Sequence, residues 1–341
     1  MASRTVASTT ITPESATLWI LVRTVSHRPR ELWNDGHMSF VALPRRSRAE
    51  RAQSEVTRAE ATRADVSRAE SPRPVATSGF IGREVNGGVY VDVDGAPIWQ
   101  YVAGEPSGAA TVLVHGLYGS AANWAAQVGD FVDSGLRVFL PERTGHGHSP
   151  DDDAPFSYDA AATQVIRYLE TIVTTPAHLI GWSDSAAIVA LVAARRPDLV
   201  HRMILVGQYF HGYKGFRDDF VLRIMERDPA ALATLRQAYA RFAPEGADHF
   251  DVVLDKSLAM VCSYTGLDQA TLATITTPTL VVHGDRDAIR AEASITLADA
   301  LPAGRVAVLP GTHILPIESP ELFNPLVLSF LAADPPAHWR P

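Results

Sequence analysis

Cysteine is almost absent. Cys262 is the one thiol among 341 residues, so no internal disulfide can form and nothing argues for an oxidising compartment. Lysine is nearly as scarce: Lys214 and Lys256 stand against 28 Arg among the 30 basic residues, a bias of GC-rich codon usage more than of binding. No apolar run approaches the ~20 residues that a transmembrane helix needs. The nearest thing to an export signal, Leu18-Trp19-Ile20-Leu21-Val22, is short and is broken by Arg23, so a cytoplasmic protein without a membrane span is expected. Positive charge is also missing where it would matter for nucleic acid. Residues 1–80 hold 12 Arg against 8 acids, which leaves −12 on the rest of a chain whose net charge is −8. An acidic body argues against a nucleic-acid partner.

Apolar periodicity is lacking from the N-terminal stretch. Ser47-Arg48-Ala49-Glu50, Thr57-Arg58-Ala59-Glu60, Thr62-Arg63-Ala64-Asp65 and Ser67-Arg68-Ala69-Glu70 follow a five-residue rhythm that fits neither helix nor strand. Such a segment buries too little surface to offset its ordering entropy. Residues 1–80 are read as a low-complexity, disordered extension and 81–341 as the folded domain.

That domain alternates strands with helices. Val89–Val93 and Ile98–Val102 flank Asp94-Gly95 as a hairpin. Thr111–Val114, Val138–Leu140, Ala177–Gly181, Met203–Val206, Thr279–Val282 and Val306–Leu309 are short continuous apolar runs, as expected of strands covered on both faces. Helices are expected over a stretch that holds Trp124, Val128 and Phe131 and ends at Gly135, from Tyr158 with Ser157 as its cap, from Ala186 to Ala194, and from Pro320 behind Ser319. The rhythm breaks between about 208 and 276, where several helices follow one another. The expected fold is α/β, a mostly parallel sheet with helices on both faces, with functional residues at the carboxyl ends of strands and the inserted helices above them as a cap.

The chemistry centres on Gly181-Trp182-Ser183-Asp184-Ser185. An apolar strand runs into a helix through small residues, which lets the turn close tightly with Ser183 at its apex. Asp287 follows the next-to-last strand in Gly284-Asp285-Arg286-Asp287, and His313 follows the last in Pro310-Gly311-Thr312-His313. The order is Ser, acid, His. With His115-Gly116 and Gly145-His146-Gly147-His148-Ser149, these motifs resemble the α/β-hydrolase superfamily (AB hydrolase-1 type) over roughly residues 85–332.

The resemblance implies Ser183 as nucleophile, His313 as base and Asp287 as the orienting acid, with the backbone N–H groups of Leu117 and Asp184 as oxyanion donors. It implies a serine hydrolase of a small carboxylic ester or related acyl compound, with no cofactor and no metal. Perhydrolase or haloperoxidase-like chemistry, carbon–carbon bond hydrolysis, and a non-catalytic ligand-binding role on the same fold are the alternatives.

Asp285 competes with Asp287 and is read as a turn former. His115 and His283 are read as structural. His146 and His148, at i and i+2 with no carboxylate or cysteine beside them, make a poor zinc set. Ser185 is read as a small residue where the family usually has Gly. The elbow is also similar to the biphenyl-hydrolase-like branch that includes valacyclovir hydrolase-type enzymes, in which the acid after the nucleophile can recognise a cationic amino group. Asp184 therefore has two readings, amine recognition or a carboxylate favoured at a helix N-terminus. Trp182 and Phe210 join it as candidate substrate contacts, and Tyr209, Tyr213, Phe216 and Phe242 suggest an apolar pocket.

Overall fold

A computed structural model describes residues 79–208 and 219–334. The five-residue rhythm of the N-terminal stretch lies outside the described residues. The folded part begins no later than Phe80, whose buried ring meets Tyr90 edge-on at 4.9 Å.

Nine strands form one sheet in the order β1-β2-β3-β5-β4-β6-β7-β8-β9. β1 (Glu84–Val85), β2 (Gly88–Val93) and β3 (Ala96–Ala103) are antiparallel to their neighbours. β4 (Ala109–Val114), β5 (Leu136–Pro141), β6 (Ala177–Trp182), β7 (Val200–Val206), β8 (Thr279–Gly284) and β9 (Gly304–Leu309) run parallel. The β2–β3 turn is the expected one: Asp94 and Gly95 both have positive φ, 51° and 86°, the left-handed pair that a tight hairpin of the right twist requires.

Alternation along the parallel strands feeds two cores. Val112, Val114, Leu179, Met203, Leu205 and Val281 face one side, against α2 (Tyr158–Tyr168), α3 (Asp184–Arg195) and α8 (Ala291–Ala300). Leu113, Ile180, Trp182, Ile204, Val206 and Val282 face the other, against α1 (Ala125–Asp133) and α10 (Pro320–Ala332). Each such fully buried aliphatic side chain contributes roughly 1.5–3 kcal/mol. The Ser157 hydroxyl caps α2 by accepting from Ala160 N–H at 3.0 Å. Ser319 stands before Pro320 as expected, but its side chain makes no capping bond.

Between β7 and β8 the chain leaves the sheet for α4 (Asp219–Met225), α5 (Pro229–Ala240), α6 (Phe250–Ser263) and α7 (Gln269–Thr274). This insertion has a small core of its own, Leu232, Tyr239, Phe250, Val253 and Leu254, with Tyr118 and Phe156 packed on it. An ionic clasp joins it to the loop after β5. Lys256 Nζ lies 2.9 Å from both Asp151 carboxylate oxygens, and His249 Nε2 lies 2.8 Å from one of them. The short helix α9 (Leu315–Glu318) follows His313.

Candidate active site

Ser183 sits between β6 and α3 with φ +59° and ψ −126°, a conformation that a non-glycine residue holds only when its surroundings impose it. The sequence permits it through small neighbours. A Cβ on Gly181 would stand 2.4 Å from the Ser185 carbonyl oxygen and 2.7 Å from Val189 Cγ2, so nothing larger than glycine fits beneath the turn. The Ser183 N–H donates to the Val206 carbonyl at 2.8 Å, which fastens the apex to β7.

The other two residues arrive from the ends of β8 and β9. His313 Nε2 is 2.9 Å from Ser183 Oγ, and His313 Nδ1 is 2.9 Å from Asp287 Oδ1. A carboxylate only accepts, so Nδ1 carries the proton and Nε2 is the acceptor facing the serine hydroxyl. Burial pushes the Asp287 carboxyl up. The hydrogen bond and charge of His313 and the Ile289 N–H outweigh it and leave the group below the usual carboxylate range. Asp285 instead accepts from Gly311 N–H at 3.0 Å, closing the turn between β8 and the His313 loop. Gly207, at the end of β7, has φ +52°, and a Cβ there would lie 3.0 Å from His313 Nδ1 and 3.1 Å from Asp287 Oδ2.

Asp184 opens α3 and is 2% exposed. Its carboxylate has a partner that sequence reasoning missed. Arg143 Nη1 donates to Asp184 Oδ2 at 2.9 Å and Nη2 to Oδ1 at 3.4 Å, both side chains being buried. Burial raises the Asp184 carboxyl above its ordinary value, against the charge and hydrogen bonds of Arg143 and the backbone amides of Leu117 and Ser185. The amine-recognition reading of Asp184 is therefore corrected: both of its oxygens already face a guanidinium.

Trp182 needs the same revision. It is buried in the sheet core beside Trp124, and its indole N–H donates to the His313 carbonyl at 2.8 Å, so it supports the His313 loop instead of lining a pocket. Phe210 lies outside the described residues, as do Tyr209, Tyr213 and Phe216. Phe242 meets the His148 ring at a tilt of 37°, with centroids 4.7 Å apart.

The His115-Gly116-Leu117 loop is tied to both partners of the ion pair. Arg143 N–H donates to His115 Nε2 at 3.2 Å, which puts the ring proton on Nδ1, 2.8 Å from the Gly116 carbonyl. Burial, then the charge of Arg143, pushes His115 down to about 3 and keeps it neutral. The Ser185 hydroxyl donates to the His115 carbonyl, so Ser185 does more than occupy a small space. His148 has a carboxylate neighbour after all: Glu142 Oε2 is 2.9 Å from His148 Nδ1, while the other ring nitrogen lies 2.9 Å from Asn86 Nδ2. His146 turns its Nδ1 to the Thr144 carbonyl. Among the described residues, no group of three or more His, Cys, Asp or Glu side chains could hold a metal ion.

Residues 111–326 match the sequence model of the Alpha/beta hydrolase family. The chain belongs to this family. It is a hydrolase of the α/β-hydrolase fold. It is 28% identical over 256 residues to "Putative carbamate hydrolase RutD" of Variovorax paradoxus, a match covering 69% of this chain and 96% of that protein. It is 26% identical to "Protein ABHD8" of Bos taurus over 65% of this chain, and spans 56% of the length of that protein. Among solved structures it resembles the enol-lactonase from Burkholderia xenovorans LB400, with a TM-score of 0.60 at 22% identity, covering 72% of this chain and all of that one. No helix among the described residues is long and apolar enough to cross a membrane.

Proposed function

We propose that this α/β-hydrolase is a serine hydrolase that cleaves a small carboxylic ester or related acyl compound through an acyl-enzyme. The observation that carries the reading is the continuous chain Ser183 Oγ, His313 Nε2, His313 Nδ1, Asp287 Oδ1, with 2.9 Å at both hydrogen bonds, built on a strained serine.

A hydroxyl is a weak nucleophile until a base takes its proton. As Ser183 Oγ bonds to the acyl carbon, its proton passes to His313 Nε2, and the resulting imidazolium is stabilised by the ionised Asp287. The carbonyl electron pair moves onto oxygen. The N–H of Asp184, at the start of α3, and the N–H of Leu117 receive that oxyanion. Each such donor supplies on the order of 3 kcal/mol. Collapse expels the leaving group, which takes the proton from Nε2. Water then attacks the acyl-enzyme with His313 again as base, and the acid product leaves with Ser183 regenerated.

The Asp184 carboxylate competes with the oxyanion for the Leu117 amide, since that amide also supports the carboxylate. By bonding both of its oxygens, Arg143 weakens this competition. The helical insertion acts as a cap, touching the oxyanion loop through Tyr118 on Phe250, ring centroids 5.8 Å apart. Because Arg143 already neutralises Asp184, neutral acyl groups are favoured over cationic ones. Carbamates enter the substrate panel on the strength of the RutD likeness.

The test is turnover of p-nitrophenyl acetate and of a panel of esters, lactones and carbamates. Ser183→Ala should lower kcat by on the order of 10⁶ and Asp287→Ala by on the order of 10⁴. Full activity in the Ser183→Ala variant would refute the reading.

A further inference from the structure

Gln208 follows Gly207 at the end of β7 and is 1% exposed, yet neither its Oε1 nor its Nε2 has a hydrogen-bond partner. Other buried amides in the domain are used. Gln100 accepts from the Tyr168 hydroxyl, Gln127 donates to the Pro316 carbonyl and to Asn324, and Asn324 donates to the Ala126 carbonyl. Among the described residues, Gln208 is the one buried side-chain amide with both ends unbonded.

Such burial is costly: each unsatisfied group forfeits roughly 1–3 kcal/mol, and leucine or methionine would fill a similar volume without that penalty. Native proteins keep few such groups, and each calls for an explanation. Location supplies one. The Cβ direction of Gly207 points at His313 Nδ1 and Asp287 Oδ2, 3.0 and 3.1 Å away, and Gln208 is the next residue, ~3.8 Å further along the backbone. The backbone that carries the unpaired carboxamide thus passes beside the proposed base and acid.

We propose that Gln208 is a substrate-recognition residue whose carboxamide pairs with a neutral amide-type group on the substrate, an N–H and a C=O side by side as in a carboxamide, carbamate or ureide. The inference rests on the hydrolase reading above and adds to it the substrate class. The complementarity decides the class. Gln208 offers one donor edge and one acceptor edge in a plane. A carboxylate would satisfy Nε2 but repel Oε1, and an ammonium group would do the reverse. An amide-type group satisfies both ends. Sites with buried polar groups reject analogues that leave those groups unpaired.

The test compares p-nitrophenyl esters of ω-carbamoyl acids, in stepped chain lengths, with isosteric isoalkyl esters in which methyl groups replace the amide. The native protein should prefer the carbamoyl ester of the best length by on the order of 10- to 100-fold in kcat/KM. The ratio should fall toward one in Gln208→Met and Gln208→Leu, while their thermal midpoints stay level or rise. A parallel thermal-shift measurement in the Ser183→Ala background reads the contact without turnover. There the carbamoyl esters should stabilise the protein, and adding Gln208→Met should abolish the shift. A lowered midpoint with the preference intact would make Gln208 structural and overturn the proposal. So would equal turnover of the two series, or equal shifts with and without Gln208. If the native protein hydrolyses neither series, the hydrolase reading fails, and the thermal shift still decides the role of Gln208.

Discussion

Arg143→Met isolates what the buried ion pair does. The substitution keeps most of the side-chain volume and strands the Asp184 carboxylate, which is 2% exposed, without its guanidinium. Breaking one partner of a buried pair typically costs ~3–5 kcal/mol, because the remaining charge is left uncompensated. The cost depends on pH in a definite sense. Burial already holds the Asp184 carboxyl above its ordinary value, and removal of Arg143 raises it further. The penalty is complete where Asp184 would be ionised, and it disappears as the pH falls toward the unfolded value of ~3.9. Urea denaturation should show a larger deficit at pH 8 than at pH 5. Activity should fall as well, since an uncompensated carboxylate competes with the oxyanion for the Leu117 amide. Loss of one donor, ~3 kcal/mol, sets the ceiling at on the order of 10²-fold in kcat. Adding Asp184→Asn to Arg143→Met removes the stranded charge and should restore most of the stability and part of kcat. An Arg143→Met protein within ~1 kcal/mol of the native one at pH 8, or a double variant no more stable than the single one, would rule out this role for the ion pair.

Gly207→Ala should fold with a loss of ~1–2 kcal/mol from its left-handed backbone, but its methyl group would enter the space 3.0 Å from His313 Nδ1. Steady-state kinetics should show kcat reduced by tenfold or more with a smaller change in KM. His178, near the start of β6 and far from Ser183 along that strand, is held by burial and by the charges of His201 and Arg202 at about 4. The unfolded chain takes up its proton first as pH falls, so stability is lost between pH ~6.5 and ~4. His178→Gln should remove ~3 kcal/mol of that acid loss, read as a flatter plot of unfolding free energy against pH. An unchanged acid limb would show that other groups govern it.

The strands, the helix starts and the positions of Ser183, Asp287 and His313 could be read from the chain because each is local. Each of these residues follows an apolar run, Ser183 directly and Asp287 and His313 after a glycine-containing turn, and parallel strands carry such positions to one end of the sheet. What escaped reading depends on contacts between distant segments. Arg143 lies 41 residues from Asp184, and nothing in Pro141-Glu142-Arg143-Thr144 announces its partner, so Asp184 looked available to a substrate. Trp182 looked like a pocket aromatic because it adjoins the serine. Strand alternation, however, turns its ring into the core, where the indole N–H meets the His313 carbonyl. The Glu142 to His148 bond was within reach of inspection, since a carboxylate six residues before a histidine across a glycine-rich turn can fold back on it. Gln208 carried no signal at all, because a glutamine after a strand reveals nothing about whether its amide is bonded.

The central claim is that Ser183 is a nucleophile activated by His313. Its most direct test is labelling by a fluorophosphonate, with the modified peptide located by mass spectrometry. Phosphonylation should be stoichiometric and confined to Ser183 in the native protein, absent in Ser183→Ala, and slowed by several orders of magnitude in His313→Ala. A native protein that stays unlabelled, or one modified elsewhere at the same rate after Ser183→Ala, would contradict it.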